Sequence, residues 1–158
     1  MIDIGAGSKR VKKVIDSSFR SKYFSFDIDD MYIYDFNNIN EISEIKYSLA
    51  IMLQVLEHLT FDEGLEYIKE TSKCSDRIFI TIPNIYSYPW VFWDDITHKT
   101  NWSPRCVCAI LDELGYDTKI NRVGKSRFKF LKNIISRITG IDWCMSILIT
   151  GKKREDKK

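Results

Sequence analysis

Hydrophobic positions in this chain gather into short continuous runs, separated by stretches where apolar residues return every three or four positions. The short runs suit strands buried on both faces, and the spaced ones suit helices laid over them. Met1 to Ile4 is such a run, stopping at Gly5-Ala6-Gly7. Ser8 is then placed to cap a helix with Val11, Val14 and Ile15 on one face. Tyr23 to Ile28 alternates as a second strand, with Asp27, Asp29 and Asp30 at its end, and Met31 to Tyr34 predicts a short third strand before Asp35. Tyr47 to Leu56 is apolar enough to lie at the centre of a parallel sheet. Thr60-x-x-Glu63 offers a capping box for a helix through about Ser72, with Leu65 and Ile68 inward. Arg77 to Ile82 is the next strand, stopped by Pro83-Asn84.

From Ile85 to Trp102 the periodicity lapses, and Tyr86, Tyr88, Trp90, Phe92, Trp93 and Trp102 crowd one stretch with Asp94, Asp95 and His98. Ser103-Pro104 supplies a cap and a first-turn proline for a helix that Gly115 ends. Tyr116 to Val123 reads as a strand, Arg127 to Thr139 as a basic amphipathic helix, and Cys144 to Thr150 as a last strand. Residues 1–152 then form one domain, and 153–158 a charged tail. Alternating strands and helices argue for a parallel α/β sheet.

Composition narrows the class. At 158 residues the chain makes one domain, and 44% hydrophobic residues give it a real core. A net charge of +2 supplies no reason to expect nucleic acid or an anionic membrane as partner. Lys125, Arg127, Lys129 and Lys132 read as a solvated face rather than an RNA surface. No membrane span or signal peptide is visible, and four cysteines without metal-ligand spacing suit a reducing compartment. A cytoplasmic protein is expected, in the host cytoplasm if the codon usage behind its Ile, Lys, Asn and Tyr reflects a viral gene.

Asp3-Ile4-Gly5-Ala6-Gly7-Ser8 carries the most chemistry. A strand turning through two glycines into a helix brings backbone N–H groups close to a ligand. Asp27, about 20 positions on, is suitably placed to accept hydrogen bonds from ribose hydroxyls. A dinucleotide fingerprint wants glycine at position 10, where this chain has Arg10. The segment instead resembles the first motif of class I S-adenosylmethionine-dependent methyltransferases, acid-x-Gly-x-Gly. The resemblance continues through Ser48 to Leu59 with its Leu56-Glu57-His58-Leu59 ending, through Ile80-Thr81-Ile82-Pro83-Asn84, and through Asp94-Asp95-Ile96-Thr97-His98 before Trp102-Ser103-Pro104.

That resemblance implies a Rossmann-like α/β fold: a seven-stranded, mostly parallel sheet with helices on both faces and the last strand antiparallel. It implies S-adenosylmethionine as cofactor, with Asp3 on its amino group and the Gly5, Ala6 and Gly7 backbone around the methionine part. Asp27 would hold the ribose, with Ile28 beside adenine and Asp35 near the adenine amino group. Gln54 and Val55 would face the methionine and sulfonium side. The family often has a third glycine where Lys9 sits, and helices ahead of the first strand that cover the site. A second subunit, with residues 86–93 as a homodimer contact, is one substitute cover.

His98 is the candidate base, since imidazole best suits proton removal near neutral pH. Its alternative is a structural bond to Asp94 or Asp95. The same three residues are potential metal ligands, but two histidines without a supporting cluster lead to the expectation of no metal. Nucleobase amino-methylating enzymes carry Asn/Asp-Pro-Pro-aromatic where this chain has Gln54-Val55-Leu56-Glu57, and no cysteine follows a proline as the cytosine C5 enzymes require. What is expected is methyl transfer to an oxygen, or a nitrogen, of a small molecule or sugar. The alternatives are transfer to RNA or protein, and an inactive cofactor-binding subunit.

Overall fold

The structure, a computed structural model, describes residues 1–16, 22–86, 92–123 and 146–154. Six strands form one mixed sheet in the order β2-β1-β3-β4-β6-β5. They are β1 (Ile2–Ile4), β2 (Phe24–Phe26), β3 (Ala50–Leu53), β4 (Arg77–Pro83), β5 (Tyr116–Val123) and β6 (Ser146–Lys153). The first four are parallel, while β6 runs antiparallel to both β4 and β5. Central position explains the unbroken apolar runs: Ile2, Ile4, Ala50, Met52, Ile78 and Ile80 are fully buried.

Among the described residues there are six strands rather than seven. The expected strand at Met31 to Tyr34 is reduced to one parallel bridge between Phe26 and Phe36. The reason is local. Asp27 Oδ1 accepts from the Ile28 and Asp29 N–H groups and Asp29 Oδ1 from Met31 N–H, so side chains bind the backbone that a ladder would need. Ile33 is accordingly 91% exposed.

The first helix, α1, is also shorter than its pattern suggests, spanning only Arg10–Val14 with no buried residue. Its cap is Lys9 rather than Ser8, and no side chain bonds the first turn. Val14 is exposed rather than facing the core. The glycine turn runs on through Lys9, whose N–H donates to Ala6 O at 2.8 Å, so the helix starts later.

The other helices follow their signals. In α2 (Phe61–Cys74) both halves of the Thr60–Glu63 capping box are formed. In α3 (Pro104–Glu113) the Ser103 hydroxyl accepts from Cys106 N–H at 3.0 Å. That helix packs on β5 and β6, and α2 packs on a 3-10 segment at Ile39–Glu44. β6 continues through Lys153, and Arg154 is fixed by bonds to Asp117 and Asp112, so order persists past residue 152. The helix expected at Arg127 to Thr139 lies outside the described residues, as do 87–91 of the aromatic stretch. Among the described residues no helix is long and apolar enough to cross a membrane.

Candidate functional site

The glycine turn lies at the C-terminal ends of β1 and β2, where open α/β sheets bind ligands. Gly5 and Gly7 both take left-handed backbone, at φ 69° and 44°. A Cβ on Gly5 would stand 2.5 Å from Val55 Cγ2, so that position needs glycine for space as well as for φ. Gly7 differs, because a Cβ there would meet nothing within 4 Å. The turn is clasped onto the end of β2. Gly5 and Ala6 N–H both donate to Phe26 O, at 2.9 and 3.1 Å, and Gly7 N–H donates to Asp27 Oδ2 at 2.8 Å. Lys9 is left-handed too, at φ 54°, which accounts for glycine at this position in the family it resembles. Its ammonium bonds Ile33 O and lies 5.4 Å from the Tyr34 ring centroid.

Beneath the turn, Asp3 is 2% exposed and accepts a hydrogen bond from the Tyr23 hydroxyl at 2.5 Å. Burial pushes its carboxyl up to about 6, against the opposing pull of the Tyr23 bond. Ile28, beside Asp27, leaves 68% of an apolar side chain in solvent. Asp35 is engaged elsewhere: its Oδ2 accepts from Ser25 N–H and Ser25 Oγ–H, at 2.8 and 2.7 Å. The structure thus brings Asp3, Gly5 to Gly7 and Asp27 together, while Asp35 braces the edge of β2.

A second group forms past the end of β3. Gln54 is left-handed at φ 57°, and its N–H donates to Thr81 Oγ1 at 3.0 Å. Its amide nitrogen faces Glu57 Oε1 at 3.3 Å, and its amide oxygen takes the Thr81 hydroxyl at 3.2 Å. A 3-10 turn, Leu56–His58, follows. Segment 97–102 is tied onto the backbone carbonyls of that turn by three bonds. Lys99 and Thr100 N–H donate to Glu57 O at 2.7 and 3.2 Å, and Trp102 Nε1–H donates to Leu56 O at 2.8 Å. Trp102 also stacks on Phe61, with centroids 5.0 Å apart.

These ties bring both histidines of the chain together, with ring centroids 4.8 Å apart. His98 Nδ1 lies 2.9 Å from Phe92 O, and His58 Nδ1 lies 2.8 Å from Thr97 Oγ1. The Thr97 hydroxyl in turn donates to Asp95 Oδ1 at 2.6 Å. Glu57 is 1% exposed, and burial pushes its carboxyl up to about 7. Burial, and then the neighbouring His98, lowers the His58 pKa. His98 thus sits in a built polar cluster with Glu57 and His58, not with Asp94. Sequence reasoning did not join these residues. Their one signal was that the only two histidines flank the motifs on either side of α2.

A groove of about 900 Å³, lined by Met1, Ser48, Leu49, Arg77 and Phe79 among others, opens at the opposite ends of the parallel strands. No residue of the glycine turn lines it, and it plays no part in the site.

No family model and no curated protein matches the chain. Solved structures do resemble it. One is a SAM-dependent methyltransferase from Archaeoglobus fulgidus, with 18% identity, a TM-score of 0.72, and coverage of 96% of this chain and 85% of that one. Another is the methyltransferase domain of bacterial CtHen1-C, at 11% identity and TM-score 0.70, covering 98% and 89%. A third is magnesium protoporphyrin IX methyltransferase from Synechocystis PCC 6803, at 12% identity and TM-score 0.58, covering 97% and 73%. What is shared at such identities is the fold, and this chain has the class I methyltransferase fold.

Proposed function

We propose that the chain is an S-adenosylmethionine-dependent methyltransferase acting on an oxygen, or a nitrogen, of a small molecule or sugar. The observation that carries the cofactor is the Gly5–Gly7 turn, held by Asp27 above a buried Asp3 at the ends of β1 and β2. Its residues fit this cofactor chemically. Asp3 is a buried carboxyl bonded by the neutral Tyr23 hydroxyl, and an ammonium group would supply it with a counter-charge. Asp27 offers a carboxylate for ribose hydroxyls, and the exposed Ile28 offers an apolar surface for adenine. Gly7 leaves open space where any other side chain would project.

When bound, S-adenosylmethionine supplies an electrophilic methyl group on a sulfonium. What remains for the protein is to align the acceptor and remove its proton. Val55 packs against Gly5 and the Leu56–His58 turn follows it directly, which supports reading the His98 cluster as the acceptor side. With Nδ1 of His98 facing a carbonyl, Nε2 is its basic atom. Gln54-Val55-Leu56-Glu57 in place of a proline-rich nucleobase motif favours an acceptor other than a base amino group.

Calorimetric titration with S-adenosylmethionine and S-adenosylhomocysteine tests this reading. Micromolar binding is expected, weakened about tenfold in Asp27→Ala, or roughly 1.4 kcal/mol. His98→Ala should keep the affinity and lose turnover. Absence of binding, or a preference for NADH in competition, refutes the assignment. Binding without turnover on any acceptor would instead mark a cofactor-binding subunit.

A further inference from the structure

We propose that Glu57, His58 and His98 form a binding site for one divalent first-row transition ion of the manganese–cobalt–zinc kind. One ligand atom from each lies within 4.8 Å of those from the other two. The three come from two separate places, Glu57 and His58 from the Leu56–His58 turn and His98 from the segment before α3, and the bonds from Lys99 and Thr100 to Glu57 O hold those places together. The cluster is therefore a product of the fold rather than a chance meeting of surface chains.

Its hydrogen-bond pattern leaves lone pairs without protons. A carbonyl only accepts, so His98 Nδ1 carries a hydrogen toward Phe92 O. The Thr97 hydroxyl gives its proton to Asp95, so it accepts from His58 Nδ1–H. Each imidazole is fixed in the tautomer that leaves Nε2 as its one lone-pair donor. This is the outer-shell arrangement that orients metal-binding histidines. The third member, Glu57, is 1% exposed, and its Oε2 is buried with no hydrogen-bond partner. A buried acceptor with nothing to accept carries a cost that a cation would remove. Asp95 Oδ2, 3.9 Å from His98 Nε2, adds further negative charge at the rim.

The donor set selects the ion. Two imidazoles and one carboxylate suit manganese, iron, cobalt or zinc, whereas magnesium and calcium prefer oxygen alone. Bonds of about 2.1 Å would set the donors about 3–3.5 Å apart, so the widest separation in the cluster would need to close by about 1.5 Å. His58, only partly buried, is where that closure would be made. With the ion bound, His98 Nε2 is a ligand and no longer a base, and an acceptor oxygen at one of the positions left open would instead lose its proton more easily through the ion. That last consequence rests on the proposed methyl transfer; ion binding itself does not.

The test is titration of chelator-stripped protein with MnCl2 by calorimetry, and with CoCl2 by visible absorption. Expected are one equivalent of Mn2+, a rise in thermal midpoint with the ion, and at least tenfold weaker binding of Mg2+. Glu57→Gln, His58→Gln and His98→Gln should each weaken Mn2+ binding at least tenfold. Circular dichroism and S-adenosylhomocysteine affinity check that each variant is folded, and the less buried His58 provides the safest substitution. Less than one-tenth equivalent bound at about 1 mM free Mn2+ overturns the site, as does wild-type binding by the folded variants. The two readings fail separately: Mn2+ binding without S-adenosylhomocysteine binding leaves the site standing and removes the methyltransferase, and the reverse result does the opposite.

Discussion

Asp3→Asn should make the ligand-free protein more stable at pH 8 while weakening its hold on the cofactor. Asp3 is buried with a Tyr23 hydroxyl as partner, and its carboxyl titrates near 6 rather than at the ordinary 3.8. The folded state therefore keeps the proton more tightly than the unfolded state does. Stability drawn from this group is present below about pH 4 and is lost as pH rises through about 6. A difference of roughly 2 pKa units corresponds to about 3 kcal/mol above pH 7. Asparagine has nearly the same shape, carries no charge, and still accepts from Tyr23. The stability difference between variant and wild type should be near zero at pH 4 and approach that figure at pH 8. For a chain of this length the corresponding rise in midpoint is about 6–12 °C.

Urea unfolding of both proteins at several pH values from 4 to 8 measures this difference, and the other titrating groups cancel in the comparison. The same buried charge is what an ammonium group would neutralise, so the variant should lose about 10- to 100-fold in S-adenosylmethionine affinity, as for a charge-assisted bond of about 1.5–3 kcal/mol. Binding to wild type at pH 5.5 should also expel about three-quarters of a proton, seen as a dependence of the calorimetric enthalpy on buffer, and the variant should expel none. A variant no more stable than wild type at pH 8, or a difference that does not change with pH, would refute the reasoning.

The glycines give a paired prediction. Gly5→Ala combines left-handed strain with a 2.5 Å approach to Val55 and should cost about 2–5 kcal/mol in unfolding free energy. Gly7→Ala meets no atom and should cost only about 1–2 kcal/mol while still losing cofactor affinity in calorimetry. A Cβ on Gly64 would lie 2.4 Å from Trp102 Cζ2, so Gly64→Ala should destabilise by about 1–3 kcal/mol and red-shift Trp102 fluorescence as the indole leaves its slot. Equal thermal midpoints for Gly5→Ala and Gly7→Ala, or an unshifted emission in Gly64→Ala, would contradict these contacts.

Much of the fold was legible because its signals were redundant. At α2, helical spacing, the Thr60–Glu63 box and the strand that follows all agreed, and the structure forms each of them. The expected strand at Met31 to Tyr34 had only apolar character behind it. Nothing in that pattern showed that Asp27 and Asp29 would turn their oxygens onto the N–H groups a ladder needs. The same limit applied at Ser8. A good capping residue cannot cap when the turn before it runs one residue too long, and that length was set by the left-handed backbone of Lys9.

The site divided along a similar line. The turn and Asp27 were readable because their partners sit at fixed offsets, a strand end and one helix away. Asp35 passed the same spacing test, yet its carboxylate went to Ser25. Spacing says where a side chain stands and not which neighbour claims it. The cluster at Glu57, His58 and His98 was invisible for the opposite reason. His98 lies 40 residues beyond His58, and the two segments are joined by backbone bonds from Lys99 and Thr100 to Glu57 O, which no side-chain pattern encodes. Read singly, His58 was only part of the Leu56–Leu59 segment, and His98 a candidate base or a structural partner of Asp94 or Asp95. Together, with both Nδ1 atoms committed and one buried carboxylate oxygen unpartnered, they leave lone pairs that call for a cation or an acceptor proton. In the proposed reading, the half of the site that resembles a known motif would hold the cofactor, and the half that only folding assembles would select the acceptor.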